Sequence, residues 1–323
     1  MRLHLKDLIV ASLTIVGMLG LSSTVACSKA AGVKAMMSFK QANQAYQHQD
    51  WRKAASLYED TVQADPSLAT VYFFLGNSYD NLHKPGLKSA ANDAFLNKAV
   101  VNYQLAAEKL SADKPDDAKL KGLALQYLVA AYGPDKLDDP VKAEPVVQRL
   151  IQLDPSEPAN YFALAKIYED AGAYTEAEDV LVRAKQAKPN EPTVYMQLAG
   201  YYNRQGQFAK TIESLEQRAE KEPRNPEAFY TIATYYWDEA YRDTRVKEND
   251  KKAYVQKGIE AVDHSLQIKP DYLEALVYKN LLLRLQANLE KDSAKQQALI
   301  KQADVLRDKA NELRKLKASG VGG

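Results

Sequence analysis

The sequence contains little cysteine and little histidine. Among its 323 residues there are one cysteine and four histidines, and the histidines stand far apart from one another. A single cysteine excludes a framework of disulfide bonds and a zinc site built from cysteines. The scattered histidines argue against a histidine-rich metal cluster. We therefore expect that the protein binds no metal ion and no other cofactor.

The chain also lacks an excess of charge of either sign. Lysine and arginine together number 43, and aspartate and glutamate together number 42. Proteins that bind nucleic acid usually carry a basic surface patch, so we expect no nucleic-acid partner. Hydrophobic residues make up 46% of the chain, which is enough to build a folded core.

No sequence motif typical of an enzyme is present. The chain contains no glycine-rich phosphate loop after a strand pattern, no HExxH and no nucleophile elbow. Neighbouring carboxylates such as Glu176, Glu178 and Asp179 lie where a helix is expected and fit an ordinary solvated face. We expect a non-catalytic protein, and an enzyme with an unrecognised site is the least favoured alternative.

Residues 1–26 have the pattern of an export signal. Residues 1–7 are short and basic, and residues 8–21 form an apolar run of 14 residues, shorter than the roughly 18 that span a bilayer. Small residues then lead to Cys27. This resembles a bacterial lipoprotein signal, which implies that Cys27 is acylated and becomes the mature N-terminus. Thr24 departs from the leucine usual at that position.

The resemblance implies a protein of the bacterial cell envelope. Ser28 after the cysteine is compatible with sorting to the outer membrane, so we expect a lipid anchor there with the chain facing the periplasm. The alternative is a plain secretory cleavage after Ala26 or Ala30, which would leave a soluble secreted or periplasmic protein and an incidental Cys27.

The main part of the chain repeats every 34 residues. Pro155, Pro189 and Pro223 follow one another at that spacing. Between two of these prolines, apolar residues three and four positions apart predict two helices separated by Gly172. The first helix has its apolar face at Tyr161, Leu164, Ala165 and Tyr168, and the second at Ala177, Leu181 and Ala184.

This pattern resembles the tetratricopeptide repeat (TPR). The resemblance implies an all-α, right-handed superhelical solenoid of about seven helix-turn-helix repeats with a C-terminal capping helix. Residues 27–34 are expected to be a linker, and 307–323 the end of the capping helix and a flexible tail. The predicted repeats cover 35–68, 69–113, 122–157, 158–191, 192–225, 226–272 and 273–306. Tyrosine is common, with 20 residues, because one packing position carries Tyr79, Tyr132, Tyr168, Tyr202 and Tyr236.

In arrays of this family the first helices line a concave groove that binds a peptide or protein. The resemblance places these residues there: Phe39, Asn43, Tyr46, Phe73, Asn77, Asp80, Phe162, Lys166, Asn203, Tyr230 and Trp237. Local packing of the rings is the alternative for each aromatic residue. Insertions at 80–98 and 238–257 are expected at one edge, as partner contacts or as longer helices joined by a solvated loop.

We therefore expect a membrane-tethered scaffold for protein interactions. It is similar to envelope TPR lipoproteins that assist pilus assembly, outer-membrane protein insertion or peptidoglycan synthesis. A groove that binds a glycan or small solute by ring stacking is the alternative from another class.

Overall fold

The computed structural model describes residues 23–319, and side chains from residue 32 onward. The predicted leader therefore lies almost wholly outside the described residues. Cys27 falls within the first helix, but its side chain is not among those described. That helix begins at Ser23, so the segment 27–34, expected as a linker, is helical.

The described residues form helices and no strands, which confirms the all-α class predicted from the sequence. Helices α1–α7 are Ser23–Gln47, Trp51–Ala64, Ala69–Leu82, Ala90–Lys109, Pro115–Tyr132, Pro140–Leu153 and Pro158–Asp170. Helices α8–α14 are Tyr174–Ala187, Pro192–Arg204, Phe208–Lys221, Pro226–Arg242, Glu248–Ile268, Leu273–Leu289 and Ser293–Ala318.

The chain divides after Ala173 into two compact units. The first contains α1–α7 and the second α8–α14, so the boundary falls inside the predicted repeat 158–191. Within each unit a helix packs mainly against the helices before and after it in the sequence. First helices of successive repeats also touch, α3 with α5 and α11 with α13. Each unit is therefore built by stacking helical hairpins, in which one hairpin covers the apolar face of the next.

The residues at the helix ends explain the regular hairpins. Five helices begin with proline, whose fixed φ suits the first helical position. Gly172 and Gly206 turn the chain between the two helices of their repeats at φ 75° and 67°, a region that favours glycine. Gln49 and Asp138 hold the same kind of turn at φ 60° and 49° without glycine.

The two insertions mainly lengthen the helices of their repeats. In the first, α3 runs to Leu82 and α4 starts at Ala90. Asn92 holds the connecting loop, since its Oδ1 accepts from the Lys84 N–H at 2.8 Å and its Nδ2 donates to the Leu87 carbonyl at 2.8 Å. In the second, α11 runs to Arg242 and α12 starts at Glu248. The loops left over are short.

The final helix closes the second unit. Asp292 caps α14 by accepting from the Ala294 N–H at 2.8 Å and the Lys295 N–H at 3.3 Å. Ala303 and Ala310 are buried, whereas Val305 is 64% exposed. One face of α14 therefore packs on the unit and the other meets water, as the predicted capping helix requires.

The recurring tyrosine has a polar partner in the preceding repeat. Its hydroxyl lies against a side chain of the preceding second helix in four of the five cases. The pairs are Tyr79 with Glu59, Tyr132 with Gln104, Tyr168 with Glu144, and Tyr202 with Glu178. The ring supplies buried area while the hydroxyl keeps its hydrogen bond, which explains why tyrosine rather than phenylalanine occupies this position.

Acid is expected to weaken one of these contacts. Lys210 donates to Glu178 at 2.8 Å and Tyr202 donates to the same oxygen at 2.9 Å. The Lys210 ammonium, and after it the Tyr202 hydroxyl, lower the pKa of Glu178 below its usual 4.5. A carboxyl with a lowered folded-state pKa stabilises the fold fully above its unfolded pKa, and this contribution is lost as the pH falls below 4.5 and through the lower folded-state pKa.

Glu178→Gln should therefore lower the free energy of unfolding by about 0.5–1 kcal/mol at pH 7, since the pair is partly exposed. At pH 3 the variant and the wild type should differ less than at pH 7. Urea unfolding followed by circular dichroism at both pH values measures this. Glu216→Gln, which removes a carboxylate without an ion pair in the described structure, is the control. A loss that is the same at both pH values would contradict the expectation.

Candidate functional site

The first unit does not expose all the groove residues predicted for it. Tyr46, Phe73 and Asn77 are 6%, 0% and 4% exposed, so these three predicted contacts pack inside the unit and have almost no surface to offer a ligand. Lys136 pairs with Asp80, and Lys166 pairs with Asp170 on its own helix.

Side chains from neighbouring helices cover these positions. The Tyr46 hydroxyl donates to Asn77 Oδ1 at 2.6 Å, and Asn77 Nδ2 donates to the Tyr103 hydroxyl at 3.3 Å. Tyr127 of α5 stacks on Tyr103 at 5.2 Å and lies 6.0 Å from the Phe73 ring. Where an open groove was predicted, the first unit has a closed core of aromatic rings, which the side-chain amide of Asn77 links by hydrogen bonds.

The other predicted residues of this unit lie nearer the surface. Phe39 and Asn43 are partly buried, and both contact Tyr58: the two rings are 6.1 Å apart, and the tyrosine hydroxyl donates to Asn43 Oδ1 at 2.8 Å. Phe162 is also partly buried. These side chains do not form a continuous aromatic surface.

The second unit carries a continuous row of rings, which we call the aromatic ladder. It consists of Tyr272, Tyr230, Tyr278, Trp237 and Tyr241. Successive ring centroids along this order are 5.6, 5.3, 5.8 and 4.8 Å apart. Two predicted residues, Tyr230 and Trp237, lie in the middle of it. The ladder crosses from α11 to α13, the first helices of two successive repeats.

One side of the ladder rests on the core and the other is open. Tyr230, Trp237 and Tyr272 pack against the buried cluster that contains Ala233 and Leu282. All five rings keep solvent-exposed surface, and Tyr241 is 60% exposed. Rings that are fixed from behind can offer apolar area to a ligand at little cost in side-chain entropy.

Charged groups border the ladder: the Lys269 ammonium lies 5.8 Å from the centre of the Tyr272 ring, and Glu274 and Glu227 lie near Tyr230. Burial, followed by the neighbouring tyrosines Tyr278 and Tyr272, raises the pKa of Tyr230 to about 12, so its hydroxyl is a hydrogen-bond donor at neutral pH. The Arg242 guanidinium lies 6.0 Å from the centre of the Trp237 ring and pairs with Asp238 at 2.9 Å. The ladder therefore offers a ligand a stacking surface and hydroxyl hydrogen bonds, with charged groups at its border.

Asn203 is exposed but belongs to a neighbouring cavity. This cavity encloses ≈ 350 Å³ beside the end of α11, and its lining includes Asn203, Phe208, Tyr235, Asp238 and Arg242. Asp238 follows Trp237 in the chain, and the Arg242 guanidinium lies near the Trp237 ring. The cavity therefore adjoins the exposed end of the ladder.

Three ladder residues were not predicted from the sequence. Tyr241 follows Trp237 by four positions on α11, a spacing that places both on one helical face, and this signal was available. Tyr272 ends the predicted sixth repeat and Tyr278 lies near the start of the seventh, and only the contact between α11 and α13 reveals their role.

In the described ranges no group of three or more His, Cys, Asp or Glu side chains is arranged to hold a metal ion. Within the same residues, none of the helices combines the length and the hydropathy that crossing a membrane requires.

Comparisons with known proteins agree with this architecture. Two family models, both described as tetratricopeptide repeat, match residues 39–107 and 136–199. Among solved structures, the C-terminal part of a TPR repeat-containing protein from Cytophaga hutchinsonii is 17% identical with a TM-score of 0.52, over 85% of this chain and 98% of that one. No curated protein sequence matches the chain.

Two further solved structures are similar at lower scores. MamA is 17% identical with a TM-score of 0.43, over 67% of this chain and 100% of its own. YrrB, described as a TPR protein with an unusual peptide-binding site, is 18% identical with a TM-score of 0.40, over 61% and 91%. At such identities the similarity concerns the fold alone.

Proposed function

The chain is a tetratricopeptide repeat protein, and from that premise we propose that it is a non-catalytic scaffold whose aromatic ladder binds a segment of a partner protein. The observation that carries this proposal is the row of five partly exposed rings across α11 and α13. Aromatic residues anchored in well-packed surroundings dominate the energetics of protein interfaces.

The geometry of Trp237 favours a peptide over a glycan. Tyr241 stacks on the indole ring at 4.8 Å with an angle of 16° between the planes, and Tyr278 meets the ring edge-on. A sugar stacking on a flat aromatic face would compete with Tyr241 for that face. A peptide can instead use the ring edges and the tyrosine hydroxyls along the ladder.

We further propose that the scaffold is tethered to an envelope membrane through Cys27, in the outer membrane of a bacterium and facing the periplasm. The export-signal pattern that ends at this residue supports the tether. Cys27→Ser should abolish incorporation of a labelled fatty acid and move the protein from the membrane to the soluble fraction. Labelling that persists in this variant would contradict the tether and leave the ladder proposal unaffected.

Site-specific photo-cross-linking in cells tests the ladder. A benzophenone amino acid at Tyr241 should yield a discrete cross-linked protein, whereas the same group at Val141, which is 80% exposed in the first unit, should not. Trp237→Ala should remove the cross-link, because loss of an anchor residue costs about 2 kcal/mol or more of binding, a reduction of about 30-fold. Equal cross-linking from both positions would show that the ladder is not a specific site.

A glycan array is the second arm of this experiment. The purified protein should bind no glycan through the ladder. Saturable glycan binding that Tyr230→Ala and Trp237→Ala abolish would replace the protein-binding proposal by the glycan alternative. Circular dichroism of both variants confirms that the helices are retained.

A further inference from the structure

The second unit has another recess on a different face of α11, which we call the acidic groove. Its walls are α10 and α12 and its floor is α11, and it encloses ≈ 550 Å³. Phe229 and Pro223 supply its accessible apolar surface, whereas the other lining residues of α11, Ile232 and Tyr236, are only 5% and 3% exposed. This volume is in the range of about 300–1,000 Å³ that is typical of ligand pockets.

The acidic groove and the aromatic ladder are separate surfaces. Phe229 and Tyr236 in the groove each precede a ladder residue, Tyr230 and Trp237, by one position. Successive residues of an α-helix point about 100° apart, so α11 presents the groove residues and the ladder residues in different directions. A partner held in the groove would leave the ladder free.

The charge on the walls is mainly negative. Glu216 and Glu220 project from α10, and Glu260 projects from α12 beside Lys257 and His264 of the same helix. Among the described residues neither Glu216 nor Glu220 takes part in a salt bridge. The Lys257 ammonium lies 5.9 Å from the centre of the Tyr236 ring and forms no ion pair there. Two carboxylates beside an apolar floor are therefore without a cationic partner.

The corresponding recess one repeat earlier is different. It lies between α8 and α10 and encloses ≈ 460 Å³. Lys185 of α8 bridges it by donating to Gln217 of α10 at 2.7 Å, and Lys210 on its wall is paired with Glu178. In the acidic groove no hydrogen bond or ion pair of the described residues joins α10 to α12. The repeat architecture alone thus does not produce an open, negatively charged groove.

We propose that the acidic groove binds a second partner segment, one that places a large apolar side chain on Phe229 and Pro223 between flanking lysine or arginine residues. The apolar side chain gains from leaving water, and the flanking cations lie where Glu216 and Glu220 carry unpaired charge. Charge complementarity of this kind selects the partner and raises the association rate. The protein then holds two segments at once, one on each face of α11.

Fluorescence anisotropy with a labelled, end-blocked peptide of sequence Gly-Lys-Lys-Trp-Lys-Lys-Gly tests this proposal. The full chain with Glu216→Lys and Glu220→Lys should bind at least 10-fold more weakly than the wild type. The control carries Glu108→Lys and Glu312→Lys, an identical change in charge at exposed positions away from the groove, and should change affinity less than 2-fold. Replacing Trp by Ser in the peptide should weaken binding at least 10-fold.

The outcomes separate the groove from its alternatives. If the control variant loses as much affinity as the groove variant, the effect arises from net charge and the proposal is overturned. The absence of saturable binding to the wild type would overturn it as well. Loss of the peptide in Trp237→Ala, with Phe229→Ala unaffected, would assign it to the ladder instead. Sedimentation showing a wild-type dimer that Glu216→Lys and Glu220→Lys dissociate would identify the occupant as a second copy of the chain, against the proposal.

Discussion

Gly76→Val is expected to lower the free energy of unfolding of the first unit by about 3 kcal/mol. A Cβ atom at Gly76 would lie 2.9 and 3.1 Å from two ring carbons of Tyr103 and 3.2 Å from the Ala99 carbonyl oxygen. The oxygen belongs to the backbone, and the Tyr103 ring is fully buried and stacked on Tyr127. Neither neighbour can move aside easily, so the added methyl groups overpack the core.

Gly122→Ala is the matched control. This glycine also lies inside a helix, but a Cβ there would meet only Leu153 Cδ2 at 3.5 Å, an ordinary contact. Removing a helical glycine without a clash should raise the free energy of unfolding by up to about 1 kcal/mol. Urea unfolding monitored by circular dichroism gives both values. If the two variants shift the transition in the same direction, close packing at Gly76 is not the cause.

Gly76 also explains why equivalent positions differ between the two units. Phe73 and Tyr230 are both the fifth residue of their predicted repeats, and the sixth residue of the next repeat, Tyr127 or Tyr278, lies against each. In the first unit the space beside Gly76 admits the large ring of Tyr103, 6.1 Å from Phe73. The second unit has Ala233 and Val262 at the matching places, and Tyr230 keeps exposed surface.

The helix pairs were therefore predictable from the sequence, whereas the openness of the site was not. The 34-residue period, the prolines and the glycines at 172 and 206 encode local geometry, which depends on residues close together in the chain. Exposure of the groove position Phe73 depends on side chains far away in the chain: Tyr103 in the second helix of the same repeat and Tyr127 in the next repeat. Residue type alone cannot separate the buried Phe73 from the partly exposed Trp237.

Irregular turns limited the prediction in a second way. Gln49 and Asp138 adopt positive φ values that glycine usually supplies, so the repeats at 35–68 and 122–157 lack the glycine that marks the turns at 172 and 206 although their chains turn in the same way. The structure compensates with packing: Tyr46 meets Trp51 edge-on at 5.1 Å directly across the turn at Gln49. This contact depends on the particular side chains of that turn and leaves no repeat signature.

Asn77→Ala is the substitution that decides whether Asn77 packs in the core of the first unit or lines a binding groove. Asn77 accepts from the Tyr46 hydroxyl and donates to the Tyr103 hydroxyl in a buried site. The alanine leaves both hydroxyls without this partner, and each unsatisfied group costs about 1–3 kcal/mol. We therefore expect the free energy of unfolding to fall by about 3 kcal/mol. Burial raises the pKa of Tyr46 and Tyr103 far above neutrality, so this loss should be the same from pH 5 to pH 9.

Removing the Tyr46 and Tyr103 hydroxyls, which have lost their hydrogen-bond partner, should restore much of the stability. Tyr46→Phe and Tyr103→Phe added to Asn77→Leu replace the polar chain by apolar groups of similar shape, an exchange that is often nearly neutral. The triple variant should thus be more stable than Asn77→Leu alone by at least about 1 kcal/mol, a non-additivity that a mutant cycle measures. A residue that lined an open groove would behave differently, because Asn77→Ala would then weaken partner binding with little change in unfolding. That result would restore Asn77 to the binding surface and limit the packing role to the rings around it.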